Sequence, residues 1–270
     1  KPTFSVIPVF PPSTGGTLSH VGPMTRTVAD AAAMMEVVAR ADPREIYPVP
    51  EDSSPWVSEL GRGIDGLRIA YSPDYGYADV DPQIAAAVQA ATLFMQDAGA
   101  TVELIDPPFE DPREDFCTIW DAMLSMALLG VATERLGQSD PGLRATFERG
   151  SKLTAQDYLN AEKARLRMSK SLAELFSSYD LLISPQMPTV ALPVGQDVWD
   201  TDAQDHWTQW TPFTYPHNLS RCPAASVPIG LTDDGLPMAM QIVGRHFDDR
   251  LVLRAAARYE ADNPFTRWSM

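Results

Sequence analysis

Two rhythms of apolar residues run through this chain, one at helical spacing and one in short unbroken blocks. Ala29, Ala32, Ala33, Val37 and Val38 form the first helical stripe. Thr27 is placed to cap it, Asp30 to face the exposed amides, and the helix is expected to end near Arg40. The stretch from Pro8 to Gly22 before it, and residues 41–66 after it with Pro43, Pro48, Pro50 and Pro55, read as irregular connections. A strand is predicted over Leu67–Tyr71. A helix follows, with Asp81 as cap, Pro82 in its first turn and Ile84, Val88, Ala91, Met95 and Ala98 on its stripe. Gly99 closes it, and Thr101–Ile105 reads as the next strand. This unit has the form of a right-handed parallel crossover.

Further helices are predicted from Asp115 to about Leu136 and from Thr154 to Phe176. The second carries Tyr158, Ala161, Met168, Leu172 and Leu175 inward, with Lys163, Arg165, Arg167 and Lys170 assigned to the wet side. Asp180–Ser184 reads as a short buried strand stopped by Pro185 and Pro188. Ala224–Gly230 and Pro237–Val243 form a hairpin across the turn-rich connector from Leu231 to Gly235. The last helix starts near Asp248 and carries Leu251, Leu253, Ala256, Ala257 and Tyr259. Strands alternating with helices and closing on a hairpin predict an α/β fold, a three-layer α/β/α sandwich around a mixed sheet.

Composition narrows the function. The chain has 270 residues, 44% of them hydrophobic and 21% charged, ordinary proportions for a globular protein. A formal net charge of −15 repels phosphate backbones and anionic lipid surfaces, which argues against nucleic-acid and membrane-surface roles. No apolar run reaches the roughly 18 residues of a membrane span, and the first residues lack a secretory pattern, so a cytoplasmic location is expected. Cys117 and Cys222 lie far apart without metal-type spacing, and are expected as reduced buried thiols, with a disulfide as the alternative.

The usual hydrolytic arrangements are missing. There is no G-x-S-x-G, and none of the four lysines, Lys1, Lys152, Lys163 and Lys170, follows a serine by three residues. Lys163 and Lys170 lie on a charged helical face, where solvation keeps an amine protonated. The four histidines, His20, His206, His217 and His246, have no zinc-type spacing and read as structural or surface imidazoles. Asp197, Asp200, Asp202 and Asp205 lack the glycine and distal glutamate of a calcium loop and read as a hydrated acidic stretch. No metal and no cofactor is expected.

Four segments then carry a resemblance. Leu18-Ser19-His20-Val21-Gly22-Pro23-Met24-Thr25-Arg26-Thr27-Val28-Ala29-Asp30-Ala31-Ala32 resembles the stretch just downstream of the catalytic machinery in amidase-signature hydrolases. In the family's order come Asp180 to Thr189, Pro216 to Gly230, and Gly235 to Asp249 with its Gly-Leu-Pro and Gln-Ile-Val-Gly pieces. In that family a serine nucleophile is activated through a second serine, held by a cis peptide, and a lysine, beside backbone amides that stabilise the oxyanion. The resemblance implies that residues 1–270 are the C-terminal part of a single amidase-signature domain, with all of those groups upstream of Lys1. It therefore implies no catalytic residue in this chain, which alone is expected to be inactive.

What remains is the far wall of a pocket for a small-molecule amide. Trp199, Trp207, Trp210, Phe213 and Tyr215 cluster on a segment without periodicity, suited either to an apolar acyl group or to pinning a long loop. Met187 lies in the segment that resembles the family's acyl-pocket loop. Thr211 stands where the aminoacyl-tRNA amidotransferase branch has an aspartate that holds an amino group, which counts against such a substrate. Asn218 reads as a residue that pins loop backbone, with substrate contact as its alternative role. Trp210, Thr211, Phe213, Asn218 and Met187 are thus the candidate substrate-binding residues. Arg221 and Cys222 replace the usual glycine and aliphatic residue, and Asp249 a frequent glutamate. A non-catalytic binding or scaffold module is the rival reading, and a metal-dependent hydrolase ranks behind it. An isolated half exposes sheet surface and edge, so a homodimer or other association through that surface is expected.

Overall fold

A computed structural model of the protein describes residues 1–50, 54–131, 133–196, 198 and 206–265. In chain order the elements are α1 (Val28–Val38), β1 (Arg68–Tyr71), α2 (Pro82–Asp97), β2 (Thr101–Leu104), α3 (Arg113–Leu128), α4 (Thr133–Gly137), α5 (Pro141–Gly150), α6 (Ala155–Leu175), β3 (Leu181–Pro185), α7 (Tyr215–Ser220), β4 (Ala224–Leu231), β5 (Pro237–Gly244) and α8 (Asp249–Asp262). The sheet has five strands in the order β2-β1-β3-β5-β4. β1 pairs in parallel with β2 and β3, whereas β5 runs antiparallel to both β3 and β4, so the sheet is mixed as predicted.

The β1-α2-β2 unit forms for the reasons its residues suggest. Asp81 Oδ1 accepts from the Gln83 amide at 2.7 Å, Pro82 occupies the first turn, and Gly99 leaves α2 at φ +101. The period-two alternation of the strands then divides the core. Ala70, Leu182 and Val243 face Phe116, Ile119, Met168 and Leu172 from α3 and α6. Ile69, Leu181, Ile183 and Ile242 face Val88, Met95, Val252 and Ala255 from α2 and α8. All five residues of β3 are buried, because this strand is central and covered on both faces.

Several expectations need correction. The helix predicted from Asp115 to Leu136 is broken: α3 stops at Leu128, Leu129 is extended at φ −58 and ψ 130, and Gly130 takes φ +84 before the short α4. α5 was absent from the pattern because only Leu143 and Phe147 within it are large and apolar. Its start is set by Asp140, whose carboxylate accepts from Gly142 and Leu143 amides. Arg165, assigned to the wet side of α6, is only 4% exposed and lies on the buried stripe with Ala161, Met168 and Leu172. Its guanidinium finds acceptors there in Leu219 O, Thr17 O, Thr17 Oγ1 and Glu162.

β4 forms one edge of the sheet. Lys1 covers its first residue: the Lys1 backbone nitrogen donates to Ala224 O at 3.0 Å and Ala224 N to Lys1 O at 2.8 Å. Thr3 is tied to α8, its amide and hydroxyl donating to the Asp249 carboxylate at 2.7 and 2.6 Å. Further along β4, Pro228 removes a donor from the ladder, and a bulge intervenes before Gly230. Beyond that edge, between α1 and α8, lies a cavity of about 1080 Å³. No helix among the described residues is long and apolar enough to cross a membrane.

Candidate functional site

The segment between β3 and β4 positions the candidate wall. His206 starts a short 3-10 turn over Trp207–Trp210, its backbone N–H donating to Gln209 Oε1 at 2.8 Å. Thr211 Oγ1 donates to Thr208 O at 3.1 Å and Thr214 Oγ1 to Thr211 O at 3.0 Å, so two hydroxyls satisfy the segment's own carbonyls. α7 follows and ends at Arg221, which takes the left-handed φ +64.

The candidate residues divide by burial. Phe213 is fully buried and packs on Tyr75 with ring centroids 5.1 Å apart, while its carbonyl accepts from Gln241 Nε2 at 2.7 Å. Tyr215 is also buried, its hydroxyl donating to Asp111 Oδ1 at 2.6 Å. These two aromatic residues pin the segment to the core. Thr211 is buried with its hydroxyl engaged, whereas Trp210, Met187 and Asn218 are half-buried. Asn218 Nδ2 donates to Leu18 O at 2.8 Å, a bond between α7 and the loop before α1. Trp207 is half-buried against Trp120, 5.5 Å between ring centroids, and Phe116. Trp199 and the acidic positions Asp197, Asp200, Asp202 and Asp205 lie outside the described residues.

Lys152, Lys163 and Lys170 are exposed. Lys1 differs: its Nζ donates to Cys222 O, and burial pushes its pKa down to about 7. Its partner is a carbonyl, which cannot relay a proton. Cys117 and Cys222 are free thiols, both pushed up by burial. Each histidine has a partner: His20 Nδ1 meets Leu18 O, His206 Nε2 meets Arg149, His217 Nε2 meets Tyr75 Oη and His246 Nε2 meets Ser220 O. Among the described residues no group of His, Cys, Asp or Glu is arranged to hold a metal ion.

The pattern reading did not single out a buried polar chain behind the wall, formed by Gln241, Ser184, Tyr75 and His217. Its signal was present as single polar residues inside apolar blocks, Ser184 after Leu181-Leu182-Ile183 and Gln241 between Met240 and Ile242.

This fold and these segments are those of the amidase family. A match to the amidase family covers residues 1–253, and the chain belongs to that family. It is 32% identical over 273 residues to an acylamidase of Rhodococcus erythropolis, covering 98% of this chain and 57% of that protein. It is 31% identical to a glutamyl-tRNA(Gln) amidotransferase subunit of Myxococcus xanthus, covering 100% of this chain and 60% of that one. The solved structure of a bacterial aryl acylamidase of the amidase-signature enzymes superposes with a TM-score of 0.81 at 25% identity, over 97% of this chain and 57% of that one. The chain thus spans between half and two thirds of the length of these relatives.

Proposed function

We propose that this chain is the later part of an amidase that hydrolyses a carboxamide C–N bond, and that it supplies the sheet core and one wall of the acyl pocket. The serine nucleophile, the second serine and the lysine belong to residues that precede Lys1 in the parent protein. The observation that carries this reading is the state of the amines: three lysines are exposed and the fourth, Lys1, spends its Nζ on a backbone carbonyl. A lysine base must be desolvated beside the hydroxyl whose proton it takes. On this reading the rest of the parent packs against the outer edge of β4, beside the cavity that Lys1 helps to line.

Trp210, Met187 and Asn218 are the wall residues with surface left to meet a substrate, with Thr211 and Phe213 behind them as their support. Thr211 offers a hydroxyl already bonded to Thr208 O and no charge, so it supplies no counter-ion for a substrate amino group. A neutral acyl amide fits this wall better than an aminoacyl group, as in the relatives named for acylamide cleavage.

The test is amine or ammonia release from simple aliphatic and aromatic amides, measured for the parent protein and for the 270-residue chain. Turnover by the parent and none by the chain is expected. Turnover by the chain at a rate comparable to the parent's would overturn the reading.

A further inference from the structure

The direction of the hydrogen bonds behind the wall follows from counting hydroxyl protons. Ser184 Oγ donates to Pro185 O at 3.0 Å, so it accepts from Tyr75, whose Oη lies 3.0 Å away. Tyr75 has then used its single proton, and its 2.9 Å contact with His217 Nε2 requires the ring to carry a proton on that nitrogen. Nδ1 of His217 is left as a lone pair, buried and without a hydrogen-bond partner among the described residues.

The same groups grip the wall. Gln241 Nε2 reaches both Ser184 Oγ at 3.4 Å and Phe213 O at 2.7 Å. The Tyr75 ring packs on Phe213 and on Phe109, each at 5.1 Å between centroids. Tyr75 adopts φ +50, a left-handed conformation that bulky residues rarely take, so its ring contacts and its two hydroxyl bonds must hold it there. The hydroxyls of Thr211 and Thr214 are engaged within their own segment and give no alternative tie to the sheet.

We propose that His217 is a positioning residue: by donating Nε2–H to Tyr75 it fixes the Tyr75-Ser184-Gln241 anchor that holds the Trp210–Phe213 wall on the sheet. Its consequence for acyl selectivity rests on the amidase reading, whereas the anchor itself stands on the chain alone.

Three variants separate the roles. His217→Gln keeps an N–H donor near the Nε2 position, His217→Met removes it at similar volume, and Tyr75→Phe removes the hydroxyl that joins the two halves of the relay. In the 15N-labelled chain, His217 is expected to show the correlation pattern of an Nε2–H tautomer. The indole N–H resonance of Trp210 is expected to move in His217→Met and in Tyr75→Phe, and to stay in His217→Gln. In the parent protein, His217→Met is expected to raise KM several-fold for the bulkier of two acyl amides while kcat changes by less than about twofold, with His217→Gln restoring the ratio. A proton on Nδ1, or an unmoved Trp210 resonance in both His217→Met and Tyr75→Phe when these are folded by circular dichroism, overturns the proposal. A parent that hydrolyses no amide while both resonance results hold would sink the functional reading and leave the anchor standing.

Discussion

Arg165 Nε donates to the carbonyl oxygen of Leu219 at 2.7 Å, joining the middle of α6 to the end of α7 across the buried face of the sheet. The remaining nitrogens reach Thr17 Oγ1 at 2.7 Å and Thr17 O at 3.1 Å, so one guanidinium ties the loop before α1 into the same junction. Burial lowers its pKa, yet arginine stays charged at any pH at which the protein folds. Arg165→Met is expected to leave these acceptors unpaired in the interior and to cost about 3 kcal/mol. Arg165→Lys should recover only part of this, because an ammonium cannot reproduce the fork. Urea unfolding followed by circular dichroism measures it; a loss below about 1 kcal/mol in Arg165→Met would show that water replaces the missing donors.

Much of the architecture was legible because local and long-range signals agree. The β1-α2-β2 unit carries cap, proline, apolar stripe and terminal glycine in order, and each took its expected place. The strand blocks were legible as short apolar runs bounded by turn residues, and β3 is buried along its whole length. Legibility failed where one residue decides the outcome. Gly130 breaks a stripe that otherwise continues, and Arg165 looks like a surface residue until Thr17 and Leu219, distant in sequence, supply its acceptors. The aromatic segment was visible as a cluster, but not which rings turn inward. Phe213 faces the core because Gln241 from β5 holds its carbonyl, a contact that no local pattern encodes.

The start of α6 offers a separable test of local stability. Thr154 Oγ1 accepts from the Asp157 amide at 3.2 Å, and the Asp157 carboxylate accepts from the Thr154 amide at 2.8 Å, a reciprocal capping box. The Thr154 hydroxyl, donating to Asp157 Oδ2 at 2.6 Å, and after it the Thr154 amide hold the Asp157 carboxyl below its usual range. Thr154→Ala is expected to cost about 1 kcal/mol by chemical denaturation, with no effect on any pocket property. A change within error of zero would mean that the first turn is held by packing alone.

Gly99 tests the turn into β2. At φ +101 an L residue is strained, and an added Cβ would sit 2.2 Å from Asp65 Oδ1 and 3.2 Å from Asp65 Cα. The second contact is backbone and cannot swing away. Gly99→Ala is therefore expected to cost about 1–3 kcal/mol. Gly61→Ala is the control, because nothing lies within 4 Å of its Cβ position. Its effect is expected within about 0.5 kcal/mol of zero. Equal effects from the two, read as thermal midpoints, would remove the steric argument.

Acid stability isolates His217. Burial pushes its pKa from the ordinary 6.5 down to about 3, with the nearby Lys1 charge acting in the same direction. The depressed folded-state value means that the unfolded chain binds more protons as pH falls from about 6.5 to about 3. The stability associated with this ring is fully present above that window and is lost as pH falls through it, at about 1.4 kcal/mol per pH unit while the pKa values bracket the pH. His20, also pushed down to about 3, adds a slope of the same sign. Asp249 acts in the opposite sense, since burial raises its carboxyl above the ordinary 3.8 and protonation in the acid limb then favours the folded state. His217→Gln keeps the donor to Tyr75 and removes one titrating group, so the other ionisations cancel between variant and wild type. The difference in their unfolding free energies between pH 6 and pH 4 is expected to change by about 1.4 kcal/mol per pH unit, the variant losing less. Parallel curves would mean that His217 binds protons alike in the folded and the unfolded chain, so that burial does not hold the ring neutral.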